Sequence, residues 1–352
     1  MLSSLEKIIF ILIALGALGS SFITFRKMFR AIGAGTQPID WKRAMLNLSK
    51  GLKVFISQNT LFKTRPLVGF VHALVAWGFT LYLLVNVLDI LYGFIPEFSF
   101  FPNHFIGNLY RAFVDFFSVV VLFGVIYFLI RRFILNDNRL VINDPVMLSP
   151  EARKGMRRDS LIVGAFILFH VGARFLSASF EIAQHHHDSF QPAATLVSLL
   201  WSNMSDTNVI VFEHITWWIA LGLILGFLPY FPYSKHAHLF MGPLNFMVSK
   251  DRRSMASIET IDFEDDSIEQ FGAGRLEHLP QKQLLDAYAC IQCSRCQDAC
   301  PAYETGKELS PSALEINKRY FLNTHLDEFI DGSIPDAAIT DILLTDEAAW
   351  SC

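Results

Sequence analysis

The sequence predicts an all-α protein: a five-span transmembrane helical bundle followed by a cytoplasmic α-helical segment that holds a cysteine cluster. Three observations predict it. Of 352 residues, 52% are hydrophobic and 33 are phenylalanine, too apolar a composition for an ordinary soluble protein. The apolar residues gather in five long runs, all before residue 235. From Asp251 onward the balance inverts, with 20 acidic against 8 basic residues, so the tail carries about −12 and the remainder about +8. An acidic tail of this kind argues against a nucleic-acid partner. The composition divides the chain into a bundle at 1–250, an acidic linker at 251–283 and a helical segment at 284–352.

The spans are expected at residues 7–26, 66–93, 111–131, 159–183 and 208–232, each near or above the ~20 residues that cross a bilayer. The first resembles a signal peptide in its lysine and small residues. Its apolar core is long, however, and runs directly into "RKMFR", so it reads as a span. Arg26 to Arg65 contains nine lysines and arginines and Arg131 to Arg158 seven, whereas the stretches 94–110 and 184–207 contain none. The positive-inside rule puts the first two loops in the cytoplasm. The chain is then a multi-pass protein of the cell inner (plasma) membrane, with its N-terminus outside and its C-terminal segment in the cytoplasm.

Ionisable residues inside spans are costly and mark function by default. His72 falls in span two, His170 in span four and His214 in span five, with His236 and His238 just beyond the inner end of span five. Neutral imidazole is the usual axial ligand of a haem held between helices, and Gly69, Gly172, Gly222 and Gly226 nearby would allow close helix approach. At ~1.5 Å per residue, His72 and His238 can share an inner level, whereas His170, near mid-membrane, meets His214 at an outer level only if one span boundary shifts by a turn or two. His236 competes with His238. The bland alternative for each is a satisfied intramembrane histidine. Arg174, one turn beyond His170, needs an anionic partner: haem propionate, Asp115 or Glu181. Asp89, Asp115, Glu181 and Glu213 lie toward outer span ends, as interfacial anchors or as groups that take protons from a quinol.

Cys290, Cys293, Cys296, Cys300 and Pro301 spell C-x2-C-x2-C-x3-C-P, the bacterial ferredoxin run for a [4Fe–4S] cluster. Structural zinc normally uses two pairs separated by a dozen or more residues. Clustered thiols beside an acidic, soluble segment fit a reducing compartment rather than a disulfide framework. In two-cluster ferredoxins the fourth cysteine of each run ligates the other cluster, so Cys352 reads as the start of a second run and the chain as stopping before it is complete. Around the run, "PQKQLLDAYA" reads as a short helix, and Ser310 before Pro311 as the start of another. No Gly-rich phosphate loop appears, which argues against a nucleotide or flavin within this chain.

The segment "FGAGRLEHLPQKQLLDAYACIQCSRCQDACPAYETGKELSPSAL" resembles the ferredoxin-type region of membrane-bound iron–sulfur oxidoreductases related to heterodisulfide reductase. Members of that group fuse a cytochrome b-like bundle to a two-cluster ferredoxin region and to cysteine-rich CCG domains. The five-span, N-out bundle and "PYSKHAHLFMGP" are similar to the gamma subunit of respiratory nitrate reductase. The resemblance implies haem b ligation, at one or two haems, by His72 and His238, with His214 and His170 as outer candidates. It also implies one or two [4Fe–4S] clusters and electron exchange between menaquinone and a soluble partner, such as electron transfer flavoprotein or a thiol/disulfide system. The chain departs from the gamma pattern at Tyr82, where a second histidine of that helix is expected, and has Ser294 where many related motifs have glycine. The rival reading is a haem-free, membrane-anchored iron–sulfur redox sensor or anchor subunit.

Overall fold

The computed structural model describes residues 2–95, 97–102, 104–185, 187–249, 262–266, 271–334 and 336–351. Cys352 and part of the acidic linker lie outside the described residues. Among the described residues every regular element is helical, apart from one isolated bridge between Thr36 and Pro280.

In chain order the helices are α1 (Ser4–Gly33), α2 (Trp41–Leu46), α3 (Leu48–Ser57), α4 (Asn59–Thr64), α5 (Pro66–Phe94), α6 (Phe105–Phe133), α7 (Pro150–His185), α8 (Pro192–Ser198), α9 (Asp206–Phe227) and α10 (His238–Val248). The last hundred residues add α11 (Gln281–Ala289), α12 (Arg295–Asp298), α13 (Pro301–Glu304), α14 (Pro311–Thr324), α15 (Leu326–Asp331), α16 (Ile339–Ile342) and α17 (Asp346–Ala349). Five of these, α1, α5, α6, α7 and α9, are long and apolar enough to cross a membrane. A helix satisfies its own backbone polar groups, which is what a lipid environment demands.

Proline sets several of the starts. Pro66, Pro192 and Pro311 occupy the first turn of α5, α8 and α14, where a missing N–H costs nothing and the fixed φ suits the helix. Ser310 accepts from Ala313 N, the cap expected from the sequence. The fifth span, expected to reach residue 232, ends at Phe227. Pro229 and Pro232 follow, and neither can donate to a continuing helix.

The residues form two compact units that interleave along the chain: residues 1–22, 58–136 and 160–231 in the first, and 23–57, 137–159 and 232–352 in the second. The first holds most of the apolar bundle. There Phe10, Ala17, Leu221 and Leu225 form a core with Trp217 and Trp218 packed against it. Glycines bring α5 and α6 together, since a Cβ at Gly78 would lie 2.5 Å from Val121 and one at Gly124 2.5 Å from Val75.

The second unit has its own core. Met28, Ile32, Met241, Leu276, Leu284, Leu285, Tyr288, Leu322 and Leu343 are buried together. A neighbouring cluster joins Ile142, Val146 and Ala152 to Ala313 and Ile316, with Cys290 packed against it. Close packing here also depends on a glycine: a Cβ at Gly155 would fall 2.2 Å from the Tyr320 ring. Gly155→Ala should therefore destabilise the solubilised protein by ~1–3 kcal/mol, the usual range for overpacking. Gly16→Ala in α1, where the new methyl meets nothing within 4 Å, should be neutral or gain up to ~1 kcal/mol from helix propensity. Thermal denaturation of the two variants side by side checks both.

Candidate functional site

In the second unit the cysteine run lies on a loop between α11 and α13. Leu284, Leu285 and Tyr288 bury α11 in the core, which fixes the backbone just before Cys290. Gln292 and Ser294 then adopt left-handed conformations, with φ of 57° and 60°. A left-handed residue inside each Cys-x-x-Cys redirects the backbone sharply between successive cysteines. It also explains why glycine serves at the Ser294 position in related motifs. Ser294 is buried, its hydroxyl 3.4 Å from that of Ser312.

Cys290, Cys293, Cys296 and Cys300 are all free thiols. Among the described residues, no three histidine, cysteine or acidic side chains lie as close together as a single metal ion requires. The donor set nevertheless fits an iron–sulfur cluster, which spans more space than one ion. Gln292 N donates to Cys290 Sγ at 3.4 Å and Arg295 Nε to Cys293 Sγ at 3.3 Å, the kind of donors that stabilise anionic sulfur. Burial pushes the Cys290 thiol up to about 12, with the Gln292 amide and Arg319 acting in the opposite direction. A nucleophilic cysteine needs its thiol lowered, so burial sets Cys290 against a free nucleophile's role.

Arg319 on α14 joins this loop to the histidine segment. Its side chain is 1% exposed and pairs with no carboxylate among the described residues. One arm donates to Cys290 O at 2.9 Å and the other to Ser234 O. Ser234 begins the turn Ser234–Lys235–His236–Ala237 that leads into α10. His238 Nδ1 donates to Lys235 O at 2.8 Å, which fixes the ring orientation, as a backbone carbonyl does for metal-ligating histidines. His236 is buried, and burial together with Lys235 holds its imidazole down at about 4, so it stays neutral. The sequence reading missed Arg319. The signal was there, because Ser312, Ile316 and Arg319 follow helical spacing and all three are buried.

The first unit holds the remaining candidates. His72 meets the Phe128 ring edge-on at 6.4 Å. His170 is 1% exposed; its Nδ1 donates to Ala220 O at 2.9 Å, and its ring lies parallel to Phe166 and edge-on to Tyr82 at 5.7 Å. Tyr82, the departure from the gamma-subunit pattern, thus sits against His170, with its hydroxyl 2.7 Å from that of Ser118. His214 uses Nε2 to bond Glu6 at 2.6 Å, a carboxylate that Trp218 also donates to. Of the four glycines expected to admit a macrocycle, Gly69 approaches the backbone of Leu61 and Phe62, whereas Gly222 and Gly226 face open space.

Arg174 finds its partner in Asp89, Nε to Oδ2 at 2.7 Å, rather than in Asp115 or Glu181. The main-chain oxygen of Asp89 is engaged as well, since Trp217 Nε1 donates to it at 3.1 Å. Asp115 plays a different part. It accepts from Ala193 N and Ala194 N at 2.9 Å and so caps α8. Beside the Arg174–Asp89 pair opens a cavity of about 570 Å³ that Tyr110, Glu181, Glu213 and Trp217 help to line. Glu213 accepts from Gln184 at 2.8 Å. The structure therefore brings Arg174, Glu181 and Glu213 to one cavity and leaves Asp115 outside its lining.

No family model matches the chain, and no solved structure matches it significantly. Among curated proteins, the probable iron–sulfur-binding oxidoreductase FadF of Bacillus subtilis (strain 168) is 33% identical over 260 residues, 71% of this chain and 34% of its own length. The EtfAB:quinone oxidoreductase of Syntrophomonas wolfei subsp. wolfei is 27% identical over 297 residues, 81% of this chain and 39% of its own. The chain thus spans little more than a third of the length of the curated relatives it matches.

Arg319→Met should strand the Cys290 and Ser234 carbonyls, at about 1–3 kcal/mol for each acceptor left unsatisfied. The expected outcome is a lower melting temperature together with reduced iron and acid-labile sulfide per chain. Arg319→Lys, which can reach one carbonyl at a time, should fall between.

Proposed function

We propose that this chain is the membrane electron-transfer part of a quinone-linked iron–sulfur oxidoreductase. In this reading it relays electrons between menaquinone, haem b in the bundle and a cytoplasmic [4Fe–4S] centre, with a soluble partner such as electron transfer flavoprotein. The observation that carries it is Arg319. One buried guanidinium holds the cysteine loop with one arm and, with the other, the turn that leads into His238, whose Nδ1 donates to Lys235 O. Similarity to one protein named as iron–sulfur-binding and another named as an EtfAB:quinone oxidoreductase supports the same wiring.

Cys290, Cys293, Cys296 and Cys300 are the residues that would hold the cluster, and His72 in the first unit and His238 in the second are the leading haem-ligand candidates. When bound, these groups supply one-electron redox chemistry that side chains alone do not provide. The rest falls to the chain's own residues. Lys235 O orients the His238 ring, and Ala220 O does the same for His170. In the first unit, the Arg174–Asp89 pair gives the cavity a fixed dipole, while Tyr110 and Trp217 supply flat, partly polar walls. Quinol oxidation releases protons, and Glu181 and Glu213 on the cavity wall are placed to take them. The N-out orientation from the loop charges would put that release on the outer side.

The test is a dithionite-reduced minus air-oxidised spectrum with a pyridine haemochrome count. Wild-type protein should show a b-type signal at one or two haems per chain, and His238→Ala should lose at least one of them. His214→Ala should retain more haem than His238→Ala, because its Nε2 is already committed to Glu6. Folded wild-type protein without haem would overturn the electron-wire reading in favour of an anchored iron–sulfur sensor.

A further inference from the structure

We propose that residues 41–57, helices α2 and α3, form an in-plane segment that lies on the membrane surface and takes anionic lipid headgroups. It rests on the reading of the long apolar helices as membrane spans. Trp41, Met45, Leu48, Leu52 and Ile56 recur at three- and four-residue intervals, the spacing that makes one stripe along a helical path. All five are exposed, at 49%, 64%, 43%, 48% and 61%. A continuous apolar stripe of this kind is uncommon on a surface that faces only water.

The stripe is not an unfinished core, because another flank of the same helices is already packed. Ala44 and Gly51 are buried. A Cβ at Gly51 would lie 2.7 Å from Met247 and 3.0 Å from Pro243 O, and Asn47 donates to Met247 O at 3.1 Å. The segment is therefore pinned to α10. A third flank carries Lys42, Lys50 and Lys53, all exposed and with no ion-pair partner among the described residues. Around α3, Gly51 faces protein, the leucine–isoleucine stripe lies to one side of it, and Lys50 and Lys53 lie on the far side.

Chain position identifies what covers the stripe. The segment is strung between α1 and α5, both long enough to span a membrane, with only a few residues on either side. A bilayer surface is thus always within reach, and the flanks match it. The apolar stripe suits the acyl boundary, the Trp41 indole suits the interfacial layer, and the lysines suit anionic headgroups. α10, which begins at His238, is held against this segment. The proposed anchor would therefore fix the histidine turn and the cysteine loop at a set height from the lipid.

The test uses the full chain in phosphatidylcholine liposomes. Its signal is the tryptophan emission of wild type minus that of Trp41→Phe. Brominated phosphatidylglycerol or brominated phosphatidylcholine is added in turn, with aqueous iodide as the competing quencher. Bromolipid should quench the Trp41 component and iodide should not. Brominated phosphatidylglycerol should act at a several-fold lower mole fraction than brominated phosphatidylcholine, roughly fivefold for each engaged lysine. Replacing Lys42, Lys50 and Lys53 by glutamine should bring the two lipids level. Quenching by iodide alone would overturn the proposal and point to a soluble partner or to water on that face. Equal quenching by both lipids in wild type would overturn the headgroup assignment. Trp217 and Trp218 in α9 are the internal control, since bromolipid should reach them if the bundle is inserted, whatever α2 and α3 do.

Discussion

A single buried cation organises the second unit. Arg319 has no carboxylate to neutralise it among the described residues, and its two arms end on main-chain carbonyls. Carbonyl oxygens offset a guanidinium only partly, so a positive charge is held in the core beside Cys290. Such a charge is costly to bury alone, so the two carbonyls that receive it are held in place. The same contact limits the geometry, since neither the cysteine loop nor the Ser234 turn can shift without stranding an acceptor.

The first unit meets the same difficulty differently. Arg174 is paired with Asp89, and the peptide oxygen of that aspartate is bonded by Trp217. An ion pair inside a bundle adds little net stability, yet it fixes the relative rotation of the helices that supply it. It also adds a charged pair to a cavity wall that Glu181 and Glu213 already make polar. Asp115 shows that position in a span does not determine role: both its oxygens accept from backbone amides at the start of α8, which makes it a helix cap.

Much of this was legible in the sequence. Five apolar runs of membrane length became five helices, because hydrophobic length is a signal that needs no tertiary information. The cysteine spacing and the Ser310–Pro311 helix start were legible for the same reason, being local. What could not be read was pairing across the chain. Arg174 had three carboxylates at similar depth, and the choice of Asp89 depends on how α5 and α7 are rotated. Arg319 reads in isolation as one more surface charge on a short amphipathic helix, and only its spacing from Ser312 and Ile316 puts it on the buried face. The end of α9 at Phe227 follows from Pro229, since hydropathy continues past that residue but hydrogen bonding does not.

The interleaving of the second unit has a consequence for biogenesis. Met28, Ala31 and Ile32 leave the ribosome early, whereas Leu276, Leu284, Leu322 and Leu343, which cover them, come near the end of the described chain. Contacts so distant in sequence form late and slowly. The apolar end of α1 must therefore wait through insertion of every later span, sheltered by lipid or a chaperone. Setting of the cysteine loop becomes a closing step of assembly, coupled to completion of a fold whose first residues were laid down long before.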